Sequence, residues 1–503
     1  MMRFKPLFVC LYCLTPGVAL AASPVSGLQF KWTATHGAAG LNTGVTSEIP
    51  AFDALTNTLW VAGVVGVDVL NAKTGSLVQH IDTRSYGSIN SVAIYNGKAA
   101  MAFESSTDRT ANGQVVVFDT VSRTQNGSAI TVGALPDMLA FTPNGSKLLV
   151  ANEGTPTTYG ARIDTSVPRN YGAPVNDPAG SVSIIDMASR TVTATAGFAG
   201  VPQTGSNIRT NTGMNFEPEY IALNKAGTKA YVSLQEANAI GVLDLNTNTF
   251  EKVVGLGTKD FSLPGNRIDP LNNGTVDFVS VSVKGLYMPD GMATYQSGGQ
   301  TYIVMANEGD FREDDGDRSA ASSLGATGVL ANLRVSNTDS SPGNLYAPGG
   351  RSFSIRDENG GLIFDSGEFL DVKANELGIY DDARSRDKGV EPEGVELLEI
   401  GGRTLAFIGL ERTTKGAVAI YDVTNPHSAS FIDMIVTNGD RAPEGLEAFE
   451  MDGLYYLAIA NETSNTTSVY SLAAVPEPET YAMFLAGLGL VGVMARVRKE
   501  RRV

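Results

Sequence analysis

Tyr302-Ile-Val-Met-Ala-Asn-Glu-Gly309 decides the fold, because the chain writes it more than once. Leu148-Leu-Val-Ala-Asn-Glu-Gly154 and Tyr456-Leu-Ala-Ile-Ala-Asn-Glu462 are close copies. Tyr231-Val-Ser-Leu-Gln-Glu236, Leu405-Ala-Phe-Ile-Gly-Leu-Glu411 and Ala100-Met-Ala-Phe-Glu104 are looser ones. Leu59-Trp-Val-Ala-Gly63 is a seventh, without the acid. Each is a short apolar run rich in Val, Ile, Tyr and Phe with no sustained helical period, which reads as a buried strand. Recurrence of such a unit along a chain marks a repeat architecture.

Two further motifs flank the runs. Pro followed by an acid precedes five of them, at Pro136-Asp137, Pro218-Glu219, Pro289-Asp290, Pro392-Glu393 and Pro443-Glu444. A strand ending in Asp follows several, at Asp119, Asp186, Asp244 and Asp422. Asn144-Gly145, Ala226-Gly227, Gly401-Gly402 and Asp452-Gly453 stand where hairpin turns belong. Seven small antiparallel sheets imply an all-β chain and, specifically, a seven-bladed β-propeller over residues 23–474. A pair of sandwiches or a solenoid fits less well, because the repeats differ in length and blades tolerate insertions between strands. The largest insertion is expected between blades 5 and 6, at about 310–390, and includes strands near Ser352–Arg356 and Leu362–Asp365. A smaller one spans Gly154–Pro178.

The pattern also places side chains. The Pro-acid pair opens one strand and the later Glu closes its antiparallel neighbour, so both acids fall at one edge of the sheet. In a propeller those edges share a face around the channel. Glu153, Glu219, Glu308, Asp310, Glu393, Glu411, Glu444 and Glu462 are therefore the candidate metal ligands, joined on that face by Asp137, Glu236 and Asp290. Crowded carboxylates must protonate, pair with cations or bind metal. Oxygen-only donors suit Ca²⁺. Zinc is disfavoured, since Cys10 and Cys13 are the only cysteines and His36, His80 and His427 are scattered. The acidic run Asp310–Asp317 is not an EF-hand, because Gly316 at its sixth position would put Phe311 first and Ser322 twelfth. Arg312, Arg384, Lys388, Arg412 and Arg441 are the internal cations within reach.

The ends of the chain read differently from its middle. Arg3 and Lys5 precede an apolar stretch that closes at Ala19-Leu20-Ala21, the layout of a signal peptide over residues 1–22. Cleavage removes both cysteines and with them disulfides and thiolate ligands. At the other end Pro476-Glu477-Pro478 precedes an apolar run, Thr480 to Ala495, and a cluster of five Arg and Lys residues. That order resembles a PEP-CTERM sorting signal over residues 475–503, with a short transmembrane helix. The resemblance implies an exosortase-type sorting protease as partner and a destination in the cell envelope or outside it. Without its two tails the chain has a net charge of −20 and no basic stripe, which excludes nucleic acid as a natural partner.

Three stretches carry a second resemblance. They are Ala151-Asn-Glu-Gly154 with the later Gly180-Ser-Val-Ser-Ile-Ile-Asp186, Ala306-Asn-Glu-Gly-Asp-Phe-Arg312, and the run from Ser323-Leu-Gly-Ala-Thr-Gly328 through Gly350-Arg-Ser-Phe-Ser-Ile355, Asp365-Ser-Gly367 and Arg384-Ser-Arg-Asp-Lys-Gly-Val-Glu-Pro-Glu-Gly394 to Gly409-Leu-Glu-Arg412. Together they resemble the choice-of-anchor I family of surface propellers over most of residues 28–472. Some members of that family carry an alkaline phosphatase label. This chain has Arg386 where the family pattern has an acid. Calcium-dependent propeller phytases are a further analogy, and fold analogy alone does not fix function.

The reading that follows is an exported surface propeller binding envelope or matrix components through an acidic, calcium-holding face. The alternative is a metal-dependent phosphoesterase in which Arg312, Arg384 or Arg412 clamps the phosphate. The two differ in whether those arginines stand open beside the carboxylates or simply pair with them.

Overall fold

The computed structural model describes residues 25–37, 46–167, 169–210, 216–311 and 316–474. The segment read as a signal peptide, the C-terminal tail with its apolar run, and Arg312 lie outside the described residues. Among the described residues no helix is long and apolar enough to cross a membrane.

The protein is all-β, with many antiparallel sheets and a single α-helix, Phe369–Glu376, among the described residues. Seven of the sheets have four strands or more and follow one another along the chain. The repeated apolar runs are their second strands: Thr58–Gly63, Lys98–Phe103, Lys147–Asn152, Lys229–Leu234, Gln300–Asn307, Arg403–Leu410 and Leu454–Asn461. These strands are covered on both faces, so nearly every residue is apolar instead of every other one. The motif Asp residues end the third strands on the opposite edge, where Asp119, Asp186 and Asp244 each accept a backbone N–H of the following turn at 2.7 Å.

The first strands are Ile49–Asp53, Ile89–Tyr95, Pro136–Phe141, Ile221–Leu223, Met292–Ser297, Pro392–Ile400 and Pro443–Met451. Each packs against the next, and the last packs against the first. Residues from all seven line one cavity. Close approach here depends on glycine. A Cβ on Gly394 would lie 2.0 Å from Glu444 O, one on Gly445 2.2 Å from Glu48 O, and one on Gly291 2.3 Å from Glu393 O. The Gly291 and Gly445 N–H groups donate to Glu393 O and Glu48 O.

The seventh sheet takes its outer strand from the far end of the chain. Val25–Thr35 pairs antiparallel with Thr466–Ala474. His36, buried just beyond that strand, ties it to the first sheet. Its Nδ1 meets Asp68 Oδ2 at 2.8 Å and its Nε2 meets Thr467 Oγ1 at 2.8 Å. His80 Nδ1 reaches the other Asp68 oxygen at 2.7 Å.

The long insertion is not confined to the connection between the fifth and sixth sheets. Residues 308–351 interrupt the fifth sheet between its second and third strands, and Ser352–Asp357 and Leu362–Asp365 then complete it. Asn307 pairs with Ser352 across the excursion. Only 366–391, with the α-helix, connects to the sixth sheet. The interrupting segment packs with residues 258–286 around a separate small core of Phe261, Ile268, Val283, Leu333, Val335 and Leu345.

Candidate functional site

Three of the five Pro-acid pairs enter their strands through an irregularity. The register slips between Pro136 and Leu139, Pro392 and Val395, and Pro443 and Leu446. The residue before the proline is left-handed in four of the five, with φ of 45° at Leu135 and Met288, 51° at Glu391 and 54° at Ala442. This backbone is costly for an L residue. A bulge re-aims the side chains that follow it. Asp137, Asp290, Glu393 and Glu444, with Asn90, line one small cavity of about 70 Å³ at the end of the ring. The seven residues at this level are Glu48, Asn90, Asp137, Glu219, Asp290, Glu393 and Glu444. The acids closing the second strands lie beside them, because Pro136, Pro392 and Pro443 sit opposite Asn152, Leu410 and Asn461.

Burial, and then mutual repulsion, pushes these carboxyl groups up. Asp290 is raised well above the usual range by desolvation and by Glu308, and Glu393 by desolvation and then Glu411 and Glu308. Asp137, Glu219, Glu236 and Glu444 are raised in the same way. Desolvation brings Glu48 to about 7 and Glu411 to about 8. One carboxyl oxygen in each of Glu219, Glu236, Glu393 and Glu444 is buried without a hydrogen-bond partner. A cation among such groups favours their ionised forms.

Two sets of carboxylate oxygens lie within 4.8 Å of one another: Asp290, Glu308 and Glu393, and Glu308, Glu391 and Glu411. An ammonium already serves the second. Lys388 Nζ is 2.5 Å from Glu308 Oε1 and 3.1 Å from Glu391 Oε2, and 3.7 Å from Asp310. Arg384 Nε donates to Glu391 Oε1 at 2.6 Å, and Arg412 Nη2 lies 2.6 Å from Glu411 Oε1. Of the three arginines that sequence analysis offers as phosphate clamps, Arg384 and Arg412 are thus paired with carboxylates, although their side chains stay partly exposed, and Arg312 lies outside the described residues. Gln235 Nε2 donates to the second Glu308 oxygen at 2.8 Å.

Of the candidate ligands, Glu308 and Glu393 come together with Asp290, and Glu308 and Glu411 with Glu391. Asp310 is half-exposed at the edge. Glu153 faces a cleft with Asp137, Glu104 and Arg109. Glu219, Glu444 and Glu462 stay outside both sets among the described residues. Sequence reasoning missed Glu48, Asn90 and Glu391. Ser47 and Ile89 replace the proline ahead of the first two. Their only signal was position at the head of a first strand. Glu391 stands directly before Pro392 and was hidden by the motif it precedes.

Comparison with protein families matches residues 48–426 to the choice-of-anchor I domain. The chain belongs to the choice-of-anchor I family. Residues 474–499 match the PEP-CTERM protein-sorting motif. This choice-of-anchor I protein is therefore exported, held in the membrane through its C-terminus before processing, and recognised by exosortase-type sorting machinery. Comparison with curated proteins finds no match. Among solved structures, the fold is similar to a chain described as Kuenenia stuttgartiensis hydrazine synthase. The two share 12% identity at a TM-score of 0.51, over 86% of this chain and 97% of that one. At that identity the likeness concerns the fold alone.

Proposed function

We propose that this protein is a seven-bladed β-propeller displayed at the cell surface, whose acidic cavity mouth holds a hard divalent cation, calcium first among them, and binds envelope or matrix components around it. The ring of first strands, each against its neighbour, supports the propeller. The propeller comprises residues 23–474, after removal of a signal peptide at 1–22.

One observation carries the cation site. Oxygens of Asp290, Glu308 and Glu393 converge within 4.8 Å, and Glu393 Oε2 is buried with no hydrogen-bond partner. Calcium accepts six to eight oxygen ligands, roughly, so three carboxylates plus water or backbone oxygens suit it. The cation would neutralise Asp290 and Glu393, whereas Lys388 pairs with Glu308, Glu391 and Asp310. Hydrolysis of a phosphoester has less support, because Arg384 and Arg412 are engaged by Glu391 and Glu411.

Calorimetric titration of the EDTA-stripped protein with Ca²⁺ tests this reading, with release of phosphate from a generic phosphomonoester assayed on the same samples. Saturable binding without phosphate release is expected. Binding with release would promote the hydrolase, and no binding would remove the cation site.

A further inference from the structure

Next to the acidic level, and sharing Ile49, Ser91, Met138, Tyr220 and Gly445 with it, lies a second cavity, a chamber of about 360 Å³. Its lining follows the repeat. Three residues past each member of the acidic level stand Ala51, Ala93, Ala140, Ala222, Ala293, Glu396 and Glu447. All seven line the chamber. The five alanines create its space. The two glutamates replace alanine on neighbouring first strands and are, among the described residues, the only charged ones in the lining.

Repeat duplication does not account for this pair, since the repeated residue at that level is alanine. Nor do the glutamates serve an internal cation, because among the described residues no Lys, Arg or His lines the chamber. Glu447 Oε1 accepts the Phe52 N–H at 3.1 Å, and the Leu397 and Ala448 N–H groups favour the ionised form of Glu396. Desolvation nevertheless raises both carboxyls, Glu396 further through the charge of Glu447. Most of the other lining residues have apolar side chains, while Ser91, Tyr220, Thr294 and backbone groups add polar surface. An apolar chamber of roughly 300–1,000 Å³ with a few convergent polar groups is the usual form of a small-molecule site.

We infer that the chamber is a second binding site, for a small organic ammonium ion whose charged head meets Glu396 and Glu447 and whose apolar body lies against the alanine wall. A bare divalent cation fits poorly, because two carboxylates amid apolar side chains offer too few oxygens. The site shares no residue with the proposed Asp290, Glu308 and Glu393 cation site, so the two readings stand or fall separately.

Benzylammonium is a suitable probe, with benzyl alcohol as its neutral counterpart, titrated calorimetrically into the whole protein in EDTA. Saturable binding of one benzylammonium is expected, with benzyl alcohol weaker by roughly tenfold or more, the scale of a lost charge-assisted contact. Glu396→Gln and Glu447→Gln should each weaken benzylammonium to a similar extent. Ala140→Leu should block it by filling the chamber with both glutamates intact. Melting without probe establishes that each variant folds. No saturable benzylammonium binding to the unaltered protein, or equal affinity for benzyl alcohol, overturns the inference whatever the variants do. Undiminished binding in folded Glu396→Gln and Glu447→Gln also overturns it.

Discussion

The ammonium of Lys388 lies 2.5 Å from Glu308 Oε1, so a lysine from the connection between the fifth and sixth sheets neutralises an acid at the end of a repeat strand. It is buried and also meets Glu391. Lys388→Met strands Glu308, while Glu391 keeps Arg384. Breaking a buried pair from one side costs about 3–5 kcal/mol, and a urea denaturation at neutral pH should show a loss of that order. Millimolar Ca²⁺ should recover part of it, since a cation at Glu308 replaces some of the missing charge.

Gly394 makes a second prediction. Its missing side chain leaves room for Glu444 O, and an added Cβ would sit 2.0 Å from that oxygen. Gly394→Ala must push two first strands apart, at a cost of about 1–3 kcal/mol or more. Gly197, on an outer strand with open space around it, is the control. Gly197→Ala should leave the urea midpoint nearly unchanged.

His36 fastens the strand that completes the seventh sheet. Burial works against the Asp68 charge, but hydrogen bonds from His36 and His80 outweigh it and hold that carboxyl below its ordinary range. A lowered carboxylate stabilises the fold above its unfolded pKa and loses that contribution as pH falls through the folded value. His36→Ala should therefore lower the urea midpoint at neutral pH by more than it does in acid, once pH has fallen through the lowered range in which Asp68 protonates. Hydrogen exchange should quicken first in Val25–Thr35 and Thr466–Ala474.

Much of this arrangement is legible in the sequence because buried central strands write continuous apolar runs. Leu148–Asn152 and Tyr302–Asn307 are covered on both faces, and only such residues fit there. The acids at their ends are legible for a related reason: the bulges at Pro136, Pro392 and Pro443 are local and carry their prolines with them. The outer strand Val25–Thr35 is not legible, since its partner Thr466–Ala474 lies at the other end of the chain. The fifth sheet misleads for the same reason. Asn307 and Ser352 pair across a 308–351 excursion, and no local pattern records that return. Lys388 was recognisable as a nearby cation, but its position among Glu308 and Glu391 depends on how that connection folds back.

The chamber glutamates set a pH dependence. Desolvation pushes Glu447 up to about 7. A carboxyl raised in the folded state favours folding below its unfolded pKa, near 4.5, and that contribution fades as pH rises through the folded value. Melting temperature should thus fall between about pH 5 and pH 8, and Glu447→Gln should flatten the slope by roughly 1–3 kcal/mol across that range. A slope unchanged by the substitution would assign it to other groups.

The most direct test of the cation site is a thermal melt of the EDTA-treated protein with and without millimolar Ca²⁺, run beside Glu393→Gln. A ligand that binds only the folded state must raise its melting temperature. A rise of several degrees in the unaltered protein, largely lost in Glu393→Gln, is the result this account predicts. No rise, or an equal rise in both proteins, would contradict it and leave the acidic mouth as a protonated, lysine-paired plug.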